Sequence, residues 1–455
     1  MYTNRKLCLS VTGVLLIYLS AVGWAFGARL SLIETYELAR ESDPTLAIAR
    51  FRVDGAAAQR DVARGQIMPQ LSAFGSWSEN KVQYHGPRSD AIPDQDYPGE
   101  RYGVQFRQSL FNYADWREWD RRDSMVDQSE QELAVAETEL LGSLAEAYLN
   151  VLLADVDLAQ LQSELTALDK QLEEAKALYE RSLLPVTQVL ETQTRADSLR
   201  ADVIEARGRA AIARESLYQL VGSRDVEPIP VADQVQLTPR AMSAEQAGIM
   251  AIAGSPAVAA AEEGMIAARK GISREKGTWL PEVDLVYNQQ YSDVGFDNLT
   301  SPPRTSDTIS ISVNYPLFEG GAGSARLRGA WAEFYSAQQQ LEGAKRQAQG
   351  RARSAWVNLT AATERVSAAR QAVTTAETNL DAARKAVKAG TARVTDVLLA
   401  LAQNTRAQRD LSAARFQRAM GWLELELATG TNPVELAPRL SRALHANVAA
   451  AHHGN

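Results

Sequence analysis

Few residues of this chain are of a type and spacing that could do chemistry. Its only cysteine is Cys8, and two of its four histidines, His85 and His445, stand alone. The other two, His452 and His453, are adjacent and could share a metal ion, although a polar Ala-rich tail is more simply read as solvated. Glu173-Glu174 and Glu262-Glu263 are neighbouring carboxylate pairs. On a helix, adjacent residues project to different faces, so neither pair suits a shared-proton dyad. No glycine-rich phosphate loop, HExxH, nucleophile elbow or CxxC occurs. These patterns give no argument for catalysis, and no cofactor or resident metal is expected. The most suggestive polar residue is Asp396, in the string Gly390-Thr391-x-x-x-x-Asp396-Val397-Leu398. An aspartate near a helix start is ordinarily solvated, so its role depends on what positions it.

The positioning element begins with Asn112 to Leu184, which holds no proline and one glycine, Gly142. As a single α-helix it is on the order of 110 Å long. Its second half carries Leu158, Leu161, Leu165, Leu168, Leu172, Ala175 and Tyr179, in alternating steps of three and four, the coiled-coil period. Pro185 interrupts the pattern, which then resumes as Ala196, Leu199, Val203, Ala206, Ala210, Ala213, Leu217 and Leu220. Two seamed segments joined by a few residues predict an antiparallel helical hairpin with its tip near Ser182 to Thr187. Pro185 suits the first turn of the returning helix.

The hairpin occurs twice. Val366, Ala369, Val373, Ala376, Leu380, Ala383 and Val387 repeat the seam, with 366 − 158 = 208. Val186-Thr187 and Val394-Thr395 differ by the same 208, as do Gly222 and Gly430. Upstream, Pro44 matches Pro256 and Pro69 matches Pro281, a shift of 212. The chain is a tandem duplication of a unit of roughly 210 residues. Each unit opens with short helices, Ser31 to Ser42 and Pro44 to about Gln66 in the first, Ser243 to about Glu275 in the second.

Between the short helices and each hairpin the period changes to two. Val283, Leu285 and Tyr287 share one face against Asp284, Asn288 and Gln290; Ile309, Ile311, Val313 and Tyr315 oppose Ser310, Ser312 and Asn314. In the first copy Val104, Phe106 and Leu110 oppose Gln105, Arg107 and Ser109. The strand from Leu71 to Ser78 is weaker, because Phe74 falls among serines. Each strand approaches the ~9–11 residues that cross a bilayer at a tilt. The connections, about Asn80 to Glu100 and Ser292 to Asp307, are polar. Four strands cannot close a barrel, and open edges are not tolerated in lipid. Several copies must therefore pool their strands, and an obligate homo-oligomer follows.

Arg5 and Lys6 precede an apolar run ending near Leu19 and the small-residue pattern Ala25-Phe26-Gly27. Residues 1–27 are thus expected to be a secretory signal peptide. The rest divides into a first repeat at 28–222 (strand pair about 70–111, helical hairpin about 112–222), a linker at 223–242 marked by Pro228 and Pro230, a second repeat at 243–430 (strand pair about 282–318, hairpin about 319–430), and a polar tail at 431–455. No segment beyond the leader has the 18 or more apolar residues of a membrane helix. A net charge of −8 speaks against nonspecific nucleic-acid binding.

The tip string, the duplication, the paired strands and the leader together resemble the TolC family of trimeric outer-membrane channels, from about Ser31 to Gly430. The resemblance implies a fold that is mainly α with membrane β. Tandem-duplicated long helical hairpins plus two β-hairpins would assemble as a trimer into a 12-stranded β-barrel and a 12-helix α-barrel, with a mixed belt at mid-height. It also implies a passive duct for drugs or secreted proteins. The partners would be a periplasmic adaptor protein, an inner-membrane pump of the ABC or proton-driven type, and outer-membrane lipid. The family's Val-Gly-Leu and Val-Gly-Thr tips, which meet the adaptor, fall here at Arg181-Ser182-Leu183 and Ala389-Gly390-Thr391. The first departs, with arginine for valine and serine for glycine. Asp396 matches an aspartate ring at the closed end; the second ring position is Leu399, and the first-copy equivalent is Gln188. The family's latch arginine falls at Ala392, where neighbouring Arg393 is the residue placed to substitute. Three converging aspartates would raise one another's pKa and favour cations at the mouth.

Two other classes carry long coiled-coil hairpins: periplasmic adaptors and soluble structural proteins. Adaptors generally have one hairpin flanked by compact β-domains. This chain has two hairpins and only paired strands. The cargo is not legible in the sequence.

Overall fold

The computed structural model describes residues 28–83, 85, 93–230, 237, 240–295 and 298–445. The expected leader with Cys8, and His452 and His453, lie outside them. Helix α1 (Leu32–Ser42) starts in a capping box, Ser31 and Glu34 bonding each other's backbone N–H. Asp43 accepts the N–H of Leu46 (2.7 Å) and starts α2 (Pro44–Ile67), where Pro44 occupies the first turn. After the strand pair come α3 (Tyr113–Glu180, 68 residues) and α4 (Val186–Val221). The second copy repeats the order: α5 (Ala244–Gly254), α6 (Pro256–Gly277), a strand pair, α7 (Ala322–Lys388, 67 residues) and α8 (Val394–Ala428). At 1.5 Å per residue α3 and α7 are each about 100 Å long.

The seams lie where their periods predict. Leu161, Leu168, Leu172 and Ala175 of α3 pack against Val189, Ala196, Leu199, Val203 and Ala206 of α4 in one buried cluster. Tyr179 falls outside it, half exposed, because α4 begins only at Val186 and offers it no opposing turn. Pro185 is likewise the residue just before the helix, the N-cap, rather than part of its first turn.

The long helices are flanked in two storeys. In the upper half the packing order is α2–α3–α6–α7; in the lower half it is α4–α3–α8–α7. The short helices stack end to end at similar joints in both copies. Ser42 Oγ donates to the carbonyl of Val221 (2.7 Å), and Gly254 lies backbone to backbone on Gly430. Gly430 is left-handed at φ +85°, the conformation that ends a helix, and a side chain at Gly254 would strike the carbonyl of Thr429.

The strands are β2 (Gln70–Val82), β3 (Gln95–Phe111), β5 (Glu282–Val294) and β6 (Thr300–Asn314), in one antiparallel sheet of order β2-β3-β5-β6. At 13 to 17 residues they run past the alternating stretches into segments expected to be connections. Backbone pairing persists there without an apolar face to signal it. Pro302 and Pro303 are accommodated because β6 is an edge strand and its register shifts beside them, between Ser292 and Val294. Cross-strand partners put Leu71 beside Phe106, Phe106 beside Tyr287 and Tyr287 beside Ile309, giving one apolar face across all four strands. Phe74 lies on the opposite, polar face, where its ring rests over Gly103.

At mid-height three elements were not foreseen. Strands β1 (Ala28–Leu30) and β4 (Val226–Pro228) pair in parallel, tying the chain start to the inter-repeat segment. The expected polar tail contains α9 (Pro433–His445), whose Leu436, Leu440 and Leu444 are fully buried in the main core. Their 4-4 spacing gives an apolar stripe that the Ala-rich sequence around it obscured. His445, expected to be isolated, lies 3.3 Å from the hydroxyl of buried Tyr148, which also accepts the N–H of Ile229 and donates to the carbonyl of Leu30.

Candidate functional site at the hairpin tips

Both tips end their long helix with the same turn. Leu183 N–H donates to the Leu178 carbonyl (2.9 Å) and Ser182 N–H to Tyr179 (2.8 Å); Thr391 N–H donates to Ala386 and Gly390 N–H to Val387, each at 3.0 Å. This is the Schellman pattern, which requires a left-handed residue after the helix. Gly390 supplies it at φ +75°, and Ser182 adopts it at φ +60°. The turn is thus kept where serine replaces glycine, at the cost of the strain a β-carbon brings there. Arg181, Ser182, Leu183, Gly390 and Thr391 are all exposed, Leu183 at 69 %. They sit on two turns, one at the end of each long helix.

Arg393 and Asp396 do come together, but through the backbone. Arg393 is the N-cap of α8, and its N–H donates to Asp396 Oδ2 (2.9 Å). The carboxylate thereby satisfies one of the orphan donors of the helix start and lies at its positive end. Among the described residues no ion pair joins the Arg393 guanidinium to Asp396. Leu399, at the second ring position, is 61 % exposed, one turn further along the same helix.

What holds the two tips side by side was not legible from either hairpin alone. Leu398 of α8 packs against the first hairpin's seam, and Ala167 of α3 packs against Leu380, Val397 and Leu401 of the second. Higher up, Asp157 of α3 accepts from Arg209 of α4 (2.9 Å) and from Arg409 of α8. Glu164, almost fully buried, takes Arg195 at 3.4 Å. The i,i+4 patterns of single helices carried no sign of these cross-helix pairs.

At the other end, the helix starts below the sheet carry a dense ion cluster. Glu118 is bound by Arg121, Arg122 and Arg274, and Asp120 by Arg117 and Lys270. Burial alone would push the Glu118 carboxyl up; hydrogen bonds from Arg121 and Arg122 outweigh it and bring it down to about 2. Around this level Trp116, Trp279, Leu317 and Phe318 are exposed. Indole and phenyl groups between an apolar sheet face and a charged helix layer suit a bilayer interface.

An apolar-faced sheet with two open edges, set on helices about 100 Å long, is one segment of a membrane-spanning tube. Among the described residues no single helix is long and apolar enough to cross a membrane. The chain belongs to the outer membrane efflux protein family, whose model matches residues 35–223 and 249–431. It is 26 % identical over 418 residues to the outer membrane protein TolC of Vibrio cholerae, covering 91 % of this chain and 92 % of that one. To the alkaline protease secretion protein AprF of Pseudomonas aeruginosa it is 26 % identical over 437 residues, covering 94 % and 89 %. In fold it matches the outer membrane protein VceC of Vibrio cholerae, with a TM-score of 0.75 at 24 % identity over 88 % of this chain and 96 % of that one. The Campylobacter jejuni CmeC outer membrane channel gives a TM-score of 0.78 at 14 % identity, covering 91 % and 89 %. The chain is accordingly an outer-membrane channel subunit, mainly α with a membrane sheet, whose helices extend into the periplasm. The rival readings, an adaptor or a soluble coiled-coil protein, are set aside by the family match.

Proposed function

We propose that three copies form a passive exit duct, gated at its periplasmic tips and served by a periplasmic adaptor and an inner-membrane pump of the ABC or proton-driven type. The observation that carries this reading is the agreement of open edges: β2, α2 and α4 are unpaired on one side of the chain, β6 and α7 on the other. A ring closes both layers with one operation. The two repeats, the linker and the tail then act as one wall, and residues 1–27 are removed on export. No catalytic step belongs to this role, and neither nucleic acid nor a cofactor enters it. The exposed tips at Arg181-Ser182-Leu183 and Gly390-Thr391 are the adaptor contacts. Two relatives are named for protease secretion, which favours a polypeptide cargo beside small molecules.

Asp396, with Arg393 as its neighbour, is the gate residue in this reading. Asp396→Asn keeps a carbonyl oxygen for the Arg393 N–H while removing the charge, so the helix start survives. In planar bilayers the parent channel is expected to prefer cations, and the variant to lose part of that preference. Unchanged selectivity would remove Asp396 from the gate.

A further inference from the structure

Below the strand ends, one face of α3 holds a cavity that the role of a tube wall leaves unused. Its volume is about 480 Å³, and Leu110 of β3 and Trp116, Arg117, Trp119 and Asp123 of α3 are among its walls. Leu110 is the last residue on the apolar face of β3, so the cavity starts where that face ends and runs down the helix. Trp116, Asp123, Glu130 and Glu137 recur at steps of seven, which keeps them on one face of a long helix. Glu137 is bound by Arg40 of α1 at 3.0 Å, so this is the face that carries the mid-height belt. A belt inside the ring would fill its bore, and the cavity therefore opens outward, to lipid. Helices α2 and α6 of the same chain flank α3 at this height, which keeps the cavity clear of the joint between copies.

Its polar groups are of both signs and only partly used. Arg117 donates from Nε to the Tyr113 hydroxyl (2.8 Å) and from Nη1 to Asp120 Oδ2 (3.1 Å), and its guanidinium lies 5.0 Å from the centre of the Tyr113 ring. Its third nitrogen, Nη2, has no partner among the described residues. Asp120 is shared with Lys270 at 2.8 Å. Asp123 meets Arg60 only at 3.7 Å, and Arg60 sits closer to Asp61, at 3.2 Å. Among the described residues neither Trp116 nor Trp119 gives its indole N–H to an acceptor, whereas Trp356 gives its own to the Met242 carbonyl (2.8 Å). The second repeat lacks the whole set. Adding 208 turns Trp116, Arg117, Trp119, Asp120 and Asp123 into Ser324, Ala325, Leu327, Arg328 and Trp331. A general interfacial girdle would ask the same of both repeats; this cluster belongs to one.

We propose, resting on the ring of the proposed function, that this cavity binds one aminophospholipid of the periplasmic leaflet, its acyl chains along Leu110 and its headgroup between Arg117 and Asp123. The phosphate accepts from a planar guanidinium already oriented by Tyr113 and Asp120, and from an indole N–H. The primary ammonium donates to Asp123, and an indole face beside it adds cation–π attraction. An anionic lipid without an amine satisfies Arg117 but leaves Asp123 facing a like charge. The site therefore selects a headgroup, which aromatic anchoring by itself does not.

Native mass spectrometry of the full chain, released from detergent and titrated with phosphatidylethanolamine or phosphatidylglycerol of the same acyl chains, tests this. The lipid-free complex reports its subunit number in the same spectrum. The wild type is expected to hold one phosphatidylethanolamine per subunit and to bind it roughly fivefold tighter than phosphatidylglycerol. Asp123→Asn is expected to erase that preference with little change toward phosphatidylglycerol, and Arg117→Gln to weaken both lipids. Ser324→Ala, at the matching position of the second repeat, is expected to alter neither. Should Arg117→Gln fail to assemble, Asp123→Asn, at an exposed side chain, decides the matter alone. Equal affinity for the two lipids in the wild type, or a preference that survives Asp123→Asn, overturns the site and leaves the channel reading standing. A monomeric mass for the wild type would instead sink the ring.

Discussion

The two hairpins share a backbone plan but not a core. Positions related by the shift of 208 set Leu161 against Ala369, Leu168 against Ala376 and Leu199 against Ala407. Ala196, fully buried in the first hairpin, corresponds to Asn404, whose Oδ1 is buried with no hydrogen-bond partner in the second. The first hairpin forms one continuous cluster down to its tip; the second splits into one around Leu380 and another around Val366. Burying a leucine is worth roughly 2 kcal/mol, so the second hairpin is held less by its own seam. Its stability leans on α3, whose Ala167 packs into it. The same fold thus combines a self-sufficient hairpin with a dependent one, and the dependent one carries Asp396.

The largest expected effect comes from making the first hairpin like the second. Leu168→Ala is expected to cost about 3 kcal/mol, since the residue is 1 % exposed and α4 cannot collapse onto the gap. The matching Ala376→Leu is expected to gain far less or to lose through overpacking. Chemical denaturation of the detergent-solubilised protein reads both. A loss below about 1 kcal/mol for Leu168→Ala would erase the contrast.

The tips sharpen it at a smaller scale. Gly390→Ala forces a β-carbon into the left-handed turn and is expected to destabilise by about 1 kcal/mol. Ser182→Gly relieves the same strain in the first tip and is expected to be stabilising by up to about 1 kcal/mol, less the entropy that glycine adds to the unfolded chain. Opposite signs at positions 182 and 390 are the expected signature.

A further contrast, read at acid pH, separates the tops of the long helices. Glu118 corresponds to Arg326 in the second copy, so only α3 carries a carboxylate held by three arginines. Its folded pKa of about 2 lies below the unfolded value. The stability it adds is therefore complete above roughly pH 4.5 and is lost as pH falls toward 2. Glu118→Gln is expected to flatten that part of the acid-denaturation curve, and an unchanged curve would show that the cluster is merely solvated.

Much of this architecture follows from spacing. The 3-4 steps from Leu158 to Ala175, the return from Ala196 to Leu220, and the alternation from Ile309 to Val313 are local periods. A helix or strand with one buried face must show them whatever it packs against. The tip residues were legible for the same reason, since a turn demands particular backbone angles, as at Gly390. Tyr179 was misplaced because its period continues past the last turn that α4 can cover. Helix α9 was missed because its leucine stripe is set in an Ala-rich tail, and the β1·β4 pair because its strands are three residues each and lie far apart in the sequence.

The sequence alone determined the duplicated plan, the length of the rods and the two faces of the strands, because each depends on neighbours within a few residues. Only the tertiary structure decided that α3 lies between α2 and α6 above and between α4 and α8 below, that Asp157 reaches Arg409, and that Asp396 bonds the backbone of Arg393 and not its guanidinium. Contacts of that kind depend on which helices come side by side, and no periodicity within one helix encodes its neighbour.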